Sequence, residues 1–427
     1  MHGKTLKSFA ALCTVPFILV LSNSLLIPVL PQIQKALRLT LFQAGLIITA
    51  FSLTAGVIIP FAGYLSDRVG RKAVMVPALV VFGLGGVLAG IAASLTPRAF
   101  PWILAGRVLQ GIGGGGTYQL AMALAGDMFT DHERSKALGY LEGSNGLGKV
   151  VAPLLGSAAA LLVWFAPFFV YGLLAWPAAA LVWFVCREPP LPAPPAGSTY
   201  LEDLKSVLSR RGRGLSAAFS AGFLGLFLLF GLLSYLADVL EERLGIKGFT
   251  RGLLVALPVL AMTITSSSTG VYLQKRLGPP LKTVLLLGLG LVAVSLAALA
   301  VIPSGFLFLL PLTTAGIGTG LFLPGLNLLI TSAAEGERGL VTALYGTVRF
   351  FGAALGPPAL GLGLKVGRLP LFLGAAAATA LVLLLAWFLI HVDEMLPAEL
   401  GKNPGDEAGA SGQTKKRKAP AKGGKRR

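Results

Sequence analysis

Acidic side chains are scarce in this 427-residue chain: 18 Asp and Glu stand against 36 Lys and Arg, a formal charge of +18. Charge of either sign is thin as well, at 13% of residues. A soluble globule carries about a quarter of its residues charged, so the bulk of this chain has too little polar surface to face water. Cysteine is down to two, Cys13 and Cys186, both in apolar stretches, which excludes a disulfide framework and a thiolate metal site. The three histidines, His2, His132 and His391, lie far apart and near the ends of apolar stretches, and no stretch pairs two carboxylates. Neither a Ser/His nucleophile nor a metal cluster can be read from them, so no catalytic residue and no metal ligand is assigned, and an enzyme is not expected. No G-x-x-x-x-G-K-[ST] loop occurs, which removes an ATP-driven motor.

What the chain has instead is apolar length. Hydrophobic residues make up 55% of it, and the mean hydropathy is +0.78. They gather in twelve blocks, roughly 9–30, 43–65, 73–95, 102–126, 137–162, 167–186, 214–240, 252–273, 283–302, 307–332, 341–363 and 369–391. About 20 residues of helix cross a hydrocarbon core of about 30 Å. Backbone groups in lipid must be satisfied within their own segment, so the blocks are predicted helices despite their Gly and Pro content. Lys4 and Lys7 ahead of the first block invite a secretory-signal reading, but the block is too long and no small-x-small cleavage site ends it. It is read as an uncleaved first span. Lys and Arg outside the spans favour one side by about three to one, which places both termini in the cytoplasm. The tail, with Lys415, Lys416, Arg417, Lys418, Lys425, Arg426 and Arg427, suits the anionic inner leaflet better than nucleic acid.

Between the second and third blocks runs Gly63-Tyr64-Leu65-Ser66-Asp67-Arg68-Val69-Gly70-Arg71-Lys72. Four strong charges in so short a run require a polar turn at a membrane surface. The run resembles the signature loop of the major facilitator superfamily, G-x-L-S-D-R-x-G-R-K, and the resemblance covers residues 1–391. An internal echo agrees with it. Tyr64 to Gly70 returns as Tyr272 to Gly278, and Glu133, Arg134, Gly148 and Pro153 return as Glu337, Arg338, Gly352 and Pro357. Two anchors at nearly the same shift argue for a duplicated six-helix unit. An even helix number makes the copies parallel repeats about an axis along the membrane normal. The expected fold class is an all-α membrane protein, the major facilitator fold with twelve transmembrane helices in two parallel six-helix repeats. Residues 1–186 form the first bundle, 187–213 a Pro-rich cytoplasmic linker with one short helix near Tyr200 to Arg210, 214–391 the second bundle, and 392–427 a basic disordered tail.

The resemblance implies roles for particular residues. In the family the loop Asp caps the eleventh helix and a loop Arg pairs with an acid at the end of the fourth. Gly63, Asp67, Arg68, Gly70, Arg71 and Asp127 would then form a cytoplasmic latch in the outward-open state. A carboxylate at a helix N-terminus gains about 0.3–1 kcal/mol from the dipole. The repeat has Lys275 where the first copy has Asp67, so the latch is one-sided. On the fourth span Arg107, Gln110 and Gly111 resemble the R-x-x-Q-G motif of proton-coupled members. An arginine within a span faces a cavity or a partner, and the alternative is a structural arginine bonded to backbone carbonyls. The Gly111-x-Gly113-x-x-Gly116 spacing is no dinucleotide fingerprint, since no strand precedes it; such glycines let helices approach closely. Gly148, Pro153 and Gly156 on the fifth span resemble the exporter motif G-x-x-x-G-P-x-x-G, with Ala152 in place of its middle glycine. Gly352, Gly356 and Pro357 repeat it on the eleventh span.

Glu142 is read as the only acid well inside a span, with Asp127 and Asp238 at span ends. It shares a helix face with Lys149, seven residues and about 10 Å further along. Glu142, Arg107 and Lys149 are the expected proton-coupling residues, against a static Glu142–Lys149 ion pair. Arg349 holds the repeat position of Asn145. Candidate substrate contacts are Asn23, Gln110, Tyr118, Gln119, Asn145, Lys149, Tyr235, Asn327, Tyr345 and Arg349. The expected activity is proton-coupled export of amphipathic small molecules of the multidrug type by alternating access. The alternative is an exporter or flippase for one anionic or lipid-like compound, suggested by three intramembrane cations against one deep acid. Expected partners are a small-molecule substrate, protons and anionic lipids at the tail, with no nucleic acid and no cofactor, in a monomer driven by the proton gradient.

Overall fold

The computed structural model describes residues 3–129, 131–189, 200–275, 279–302, 305–332 and 338–392, and all its regular structure is helical. The first half runs α1 (Gly3–Ser24), α2 (Leu30–Leu37), α3 (Leu41–Val69), α4 (Arg71–Leu95), α5 (Phe100–Gly114), α6 (Thr117–Met128), α7 (Asp131–Leu162) and α8 (Ala166–Val185). The second half runs α9 (Tyr200–Glu242), α10 (Gly248–Lys275), α11 (Pro279–Val301), α12 (Leu309–Ser332), α13 (Arg338–Val366) and α14 (Arg368–Leu389). Ten described segments are individually long and apolar enough to cross a membrane. The other two expected spans are present in altered form. The fourth is broken into α5 and α6 at Gly115 and Gly116, the latter at φ +86°, where a side chain would be strained. The eleventh, α13, is 29 residues long, but Tyr345, Thr347 and Arg349 make it polar.

Two further departures have local causes. Helix α9 is continuous from Tyr200, so the short helix expected in the linker is the start of the seventh span. The first apolar block ends in a 3-10 turn at Ile27–Val29 and a separate helix, α2, because Pro28 and Pro31 interrupt the backbone bonding. Helix α3 starts on a reciprocal cap in which Thr40 and Gln43 satisfy each other's backbone N–H groups. The basic tail, Lys275's loop partners 276–278, Glu337 and linker residues 190–199 lie outside the described residues.

Each half buries its own apolar core: one around Phe51, Phe82 and Phe168, the other around Leu236, Phe308 and Phe372. The repeated glycine motif explains how. A Cβ on Gly156 would lie 2.0 Å from the carbonyl oxygen of Leu25, and one on Gly352 would lie 2.2 Å from that of Phe223. Thus α7 packs on α1 in the first half as α13 packs on α9 in the second, with backbone nearly touching backbone. Gly156→Ala and Gly352→Ala are each expected to destabilise by about 1–3 kcal/mol through overpacking. Gly374→Ala, where nothing lies within 4 Å, is the neutral control. Thermal melts in detergent check all three.

Among the described residues the halves meet from the α2 end to mid-span. Near α2, Gly45 abuts Pro357 and Pro358, Gly361 abuts Phe42, and Gly252 abuts Pro153 and Ser157. Thr347 Oγ1 donates to the Gly56 carbonyl at 2.9 Å. Toward the Gly70 turn no contact between the halves is seen among the described residues: Gly63, Gly139, Gly143 and Gly270 have nothing within 4 Å of a built Cβ, and Phe61 and Tyr140 are exposed. The halves therefore enclose a cleft that is shut at the α2 end and open at the Gly70 end.

Candidate functional site in the central cleft

At the closed apex of the cleft, residues from both halves converge. The break at Gly115–Gly116 redirects the chain so that Tyr118 and Gln119 stand on the first turn of α6. Tyr118 donates its hydroxyl to Glu142 on α7. Gln119 reaches across to α13, where a Cβ on Gly346 would lie 2.7 Å from its Nε2. Lys149 stands two turns beyond Glu142 on α7, within electrostatic reach of both Glu142 and Arg349. No ion pair joins Lys149 to Glu142 among the described residues, so the static pair weighed above is not formed in this state. Asn145 is turned toward α1, its Nδ2 3.5 Å from the Pro16 carbonyl.

From the second half, Arg349 Nη1 donates to Asn327 Oδ1 at 3.3 Å, and its guanidinium lies 5.3 Å from the Tyr345 ring. Arg349 Nε, Tyr345 Oη and Gln119 Oε1 are buried without a hydrogen-bond partner among the described residues. Buried polar atoms are rarely left so. A ligand entering the cleft would meet two cations, the orphaned Gln119 amide oxygen and one acid already engaged by a tyrosine, while Tyr345 is buried against Phe219 within the second half.

Four expected substrate contacts are elsewhere, Tyr345 among them, since its ring stacks on Phe219 of its own half. Asn23 and Gln110 are buried within the first half and both bond Arg107, with Asn23 also donating to Ser52 Oγ at 2.7 Å. Tyr235 is buried in the core of the second half against Phe308 and Phe372. All four are polar groups within spans, and such a group can equally serve its own bundle. Arg107 itself is fully buried and donates to the carbonyls of Ile47 and Ser22, to Ser22 Oγ, to Gln110 and to Asn23. Its guanidinium lies 4.6 Å from the Phe51 ring. These described partners are all neutral and tie α1, α3 and α5 together, as a structural arginine would.

At the Gly70 end, Arg71 pairs with Asp67, accepts no help from the second half among the described residues, and reaches Asp127 at 3.5 Å. It also donates to Ser66 Oγ at 2.7 Å. Arg68 stacks on Tyr64 at 4.2 Å. Gly70 turns at φ +110°, and a Cβ there would press on Glu188. Among the described residues Asp67 is thus paired with Arg71. Glu188 escaped the sequence reading, which took it as linker. It accepts the backbone N–H groups of Arg71 and Lys72, the unpaired donors at the start of α4.

Glu241 escaped as well, because the apolar run stops at Leu240. The helix continues, and its carboxylate is only 3% exposed, paired with Arg251 on α10 and with Lys35 on α2. Like Asp127 and Asp238, Glu241 lies at a span end, so Glu142 stays the acid furthest inside a span among the described residues. Glu142 faces the open cleft, and Glu241 is the one sealed from water.

The chain matches the Major Facilitator Superfamily over residues 12–357, with a second match over 282–421. It is 38% identical over 389 residues to the Bacillibactin exporter of Bacillus subtilis (strain 168), covering 90% of this chain and 96% of that protein. It is 25% identical over 393 residues to Multidrug resistance protein 2 of the same organism, covering 89% and 94%. The solved bacterial homolog of the human lysosomal transporter Spinster, inward-facing and unoccupied, superposes with a TM-score of 0.73 at 17% identity, covering 95% of this chain and 100% of that one.

Proposed function

This chain belongs to the major facilitator superfamily, and on that premise we propose that it is a proton-coupled exporter of one anionic amphipathic compound. That it is a multi-pass membrane transporter follows from family and fold; the substrate class and the coupling are the proposal. The observation that carries it is the pair of cations, Lys149 from the first half and Arg349 from the second, which enter the same cleft with no acid in ion-pair range of either among the described residues. A cation held at membrane depth needs a counter-charge. An anionic group lodged between them would supply one and would be held by both halves at once. Bacillibactin, named for a relative at 38% identity, is the first compound to try. Broad multidrug export is the second reading, favoured by the likeness to Multidrug resistance protein 2.

With both termini in the cytoplasm, as the Lys and Arg distribution implies, the open Gly70 end admits substrate from inside. Rocking of the halves would then present the same site outside. Glu142 is the coupling group in this scheme. While ionised it only accepts, and it holds the Tyr118 hydroxyl; once protonated it gains an O–H to donate while its other oxygen still accepts, so a proton taken up adds a donor to the cleft. The likeness to bacterial transporters supports a location in the cell membrane.

The test is binding of bacillibactin and of a cationic dye to purified protein in nanodiscs. Lys149→Ala and Arg349→Ala are each expected to weaken bacillibactin about tenfold or more, the loss of one charge-assisted contact of about 1.4 kcal/mol or more. Cationic dye should bind as well as before or better. Unchanged bacillibactin affinity in both variants would remove the anion site and leave the multidrug reading.

A further inference from the structure

The cleft is shut at the α2 end by apolar packing, glycine contacts and one charged cluster that spans the halves. Glu241 closes the last turn of α9 and Arg251 opens the first turn of α10, so both belong to the second half. They are paired directly, and both side chains are buried. Lys35 comes from α2 in the first half, and its Nζ lies 2.6 Å from Glu241 Oε1. Helix α2 cannot swing freely, because Leu30 and Ile33 are buried and its end is turned by Arg38 at φ 55°. Lys35 is thus delivered to Glu241 by a fixed element.

We propose that Lys35 is the detachable bolt of a charge lock, closing on the permanent Glu241–Arg251 pair to hold the cleft shut at the α2 end. The inner pair moves as one with the second half and survives rocking. The Lys35 contact joins the halves, so opening this end must break it and expose a buried carboxylate to water. Arg251 already balances Glu241 within the second half, and Lys35, which also faces Asp238 on α9, adds its charge to that cluster only while this end is closed. Lys35 is 54% exposed, so water and salt screen part of the interaction and the bolt can release. The lock rests on the alternating-access reading but not on the substrate class.

The test uses the full chain in nanodiscs with Cys13 and Cys186 replaced by Ser. Spin labels at Leu162→Cys on α7 and Val366→Cys on α13, both exposed at the α2 end, report the distance between halves. The ratio of the long to the short population is expected to rise about fivefold in Lys35→Ala and to return toward wild type in Lys35→Arg. High salt should raise the ratio in the wild type and change Lys35→Ala little. Two populations in the wild type that Lys35→Ala leaves unshifted would overturn the lock alone. A single short population in every protein, with and without substrate or an imposed pH gradient, would overturn alternating access and the lock with it.

Discussion

Glu142→Gln is expected to abolish uphill export while leaving the protein folded and able to bind substrate. The glutamine keeps a hydrogen-bond acceptor for Tyr118 but can neither take up nor give back a proton. At a pH gradient of one unit, one coupled proton supports about a tenfold accumulation, or ~1.4 kcal/mol. In proteoliposomes the variant's accumulation ratio should fall to unity, with downhill flux preserved. Tyr118→Phe should show a milder defect, because the acid remains but loses its oriented donor. Retention of a full, gradient-dependent accumulation in Glu142→Gln would remove this residue from coupling. The site is open to the cleft, so the substitution buries no new unpaired group and a folding defect is not expected.

Arg107→Ala is expected to act on stability instead. The guanidinium fills a fully buried site and satisfies acceptors from α1, α3 and α5 at once. Removing it leaves Asn23, Gln110 and two carbonyls without their donor, along with a cavity beside Phe51. Unmade buried hydrogen bonds cost about 1–3 kcal/mol each where nothing replaces them, and loss of a large buried side chain adds a cavity term. Four acceptors left so amount to at least about 4 kcal/mol, read as a large fall in melting temperature. Arg107→Lys should recover little, since an ammonium cannot reproduce the planar fork. A variant that melts like the wild type but no longer responds to a pH gradient would instead make Arg107 a coupling group, as its motif resemblance implies.

The membrane architecture was legible because its cause is local. Spans are read from apolar length, and the Gly70 turn from charges that lipid cannot hold. The glycine motifs were legible for the same reason, and the two copies pack α7 on α1 and α13 on α9 alike. Polarity within a span was a weaker guide. It found Tyr118, Gln119, Lys149 and Arg349, which come together between the halves, and equally Asn23, Gln110, Tyr235 and Tyr345, which are buried within one half. Helical periodicity gives relative angle on one helix, but which angle faces the partner bundle depends on neighbours distant in sequence.

The sequence by itself determined that the chain crosses the membrane many times, that its halves repeat, and that its charged loop sits between the second and third spans. Those properties follow from the cost of exposing backbone and charge to hydrocarbon, a cost set residue by residue. Only the tertiary structure decided which charges meet. It turned Asp67 to Arg71, enclosed Arg107 among neutral acceptors, left Lys149 without an ion-pair partner among the described residues, and carried Lys35 to Glu241 across 206 residues of chain. Pairing energies fall off over a few ångströms, and separations that small between distant segments exist only once the bundles are packed.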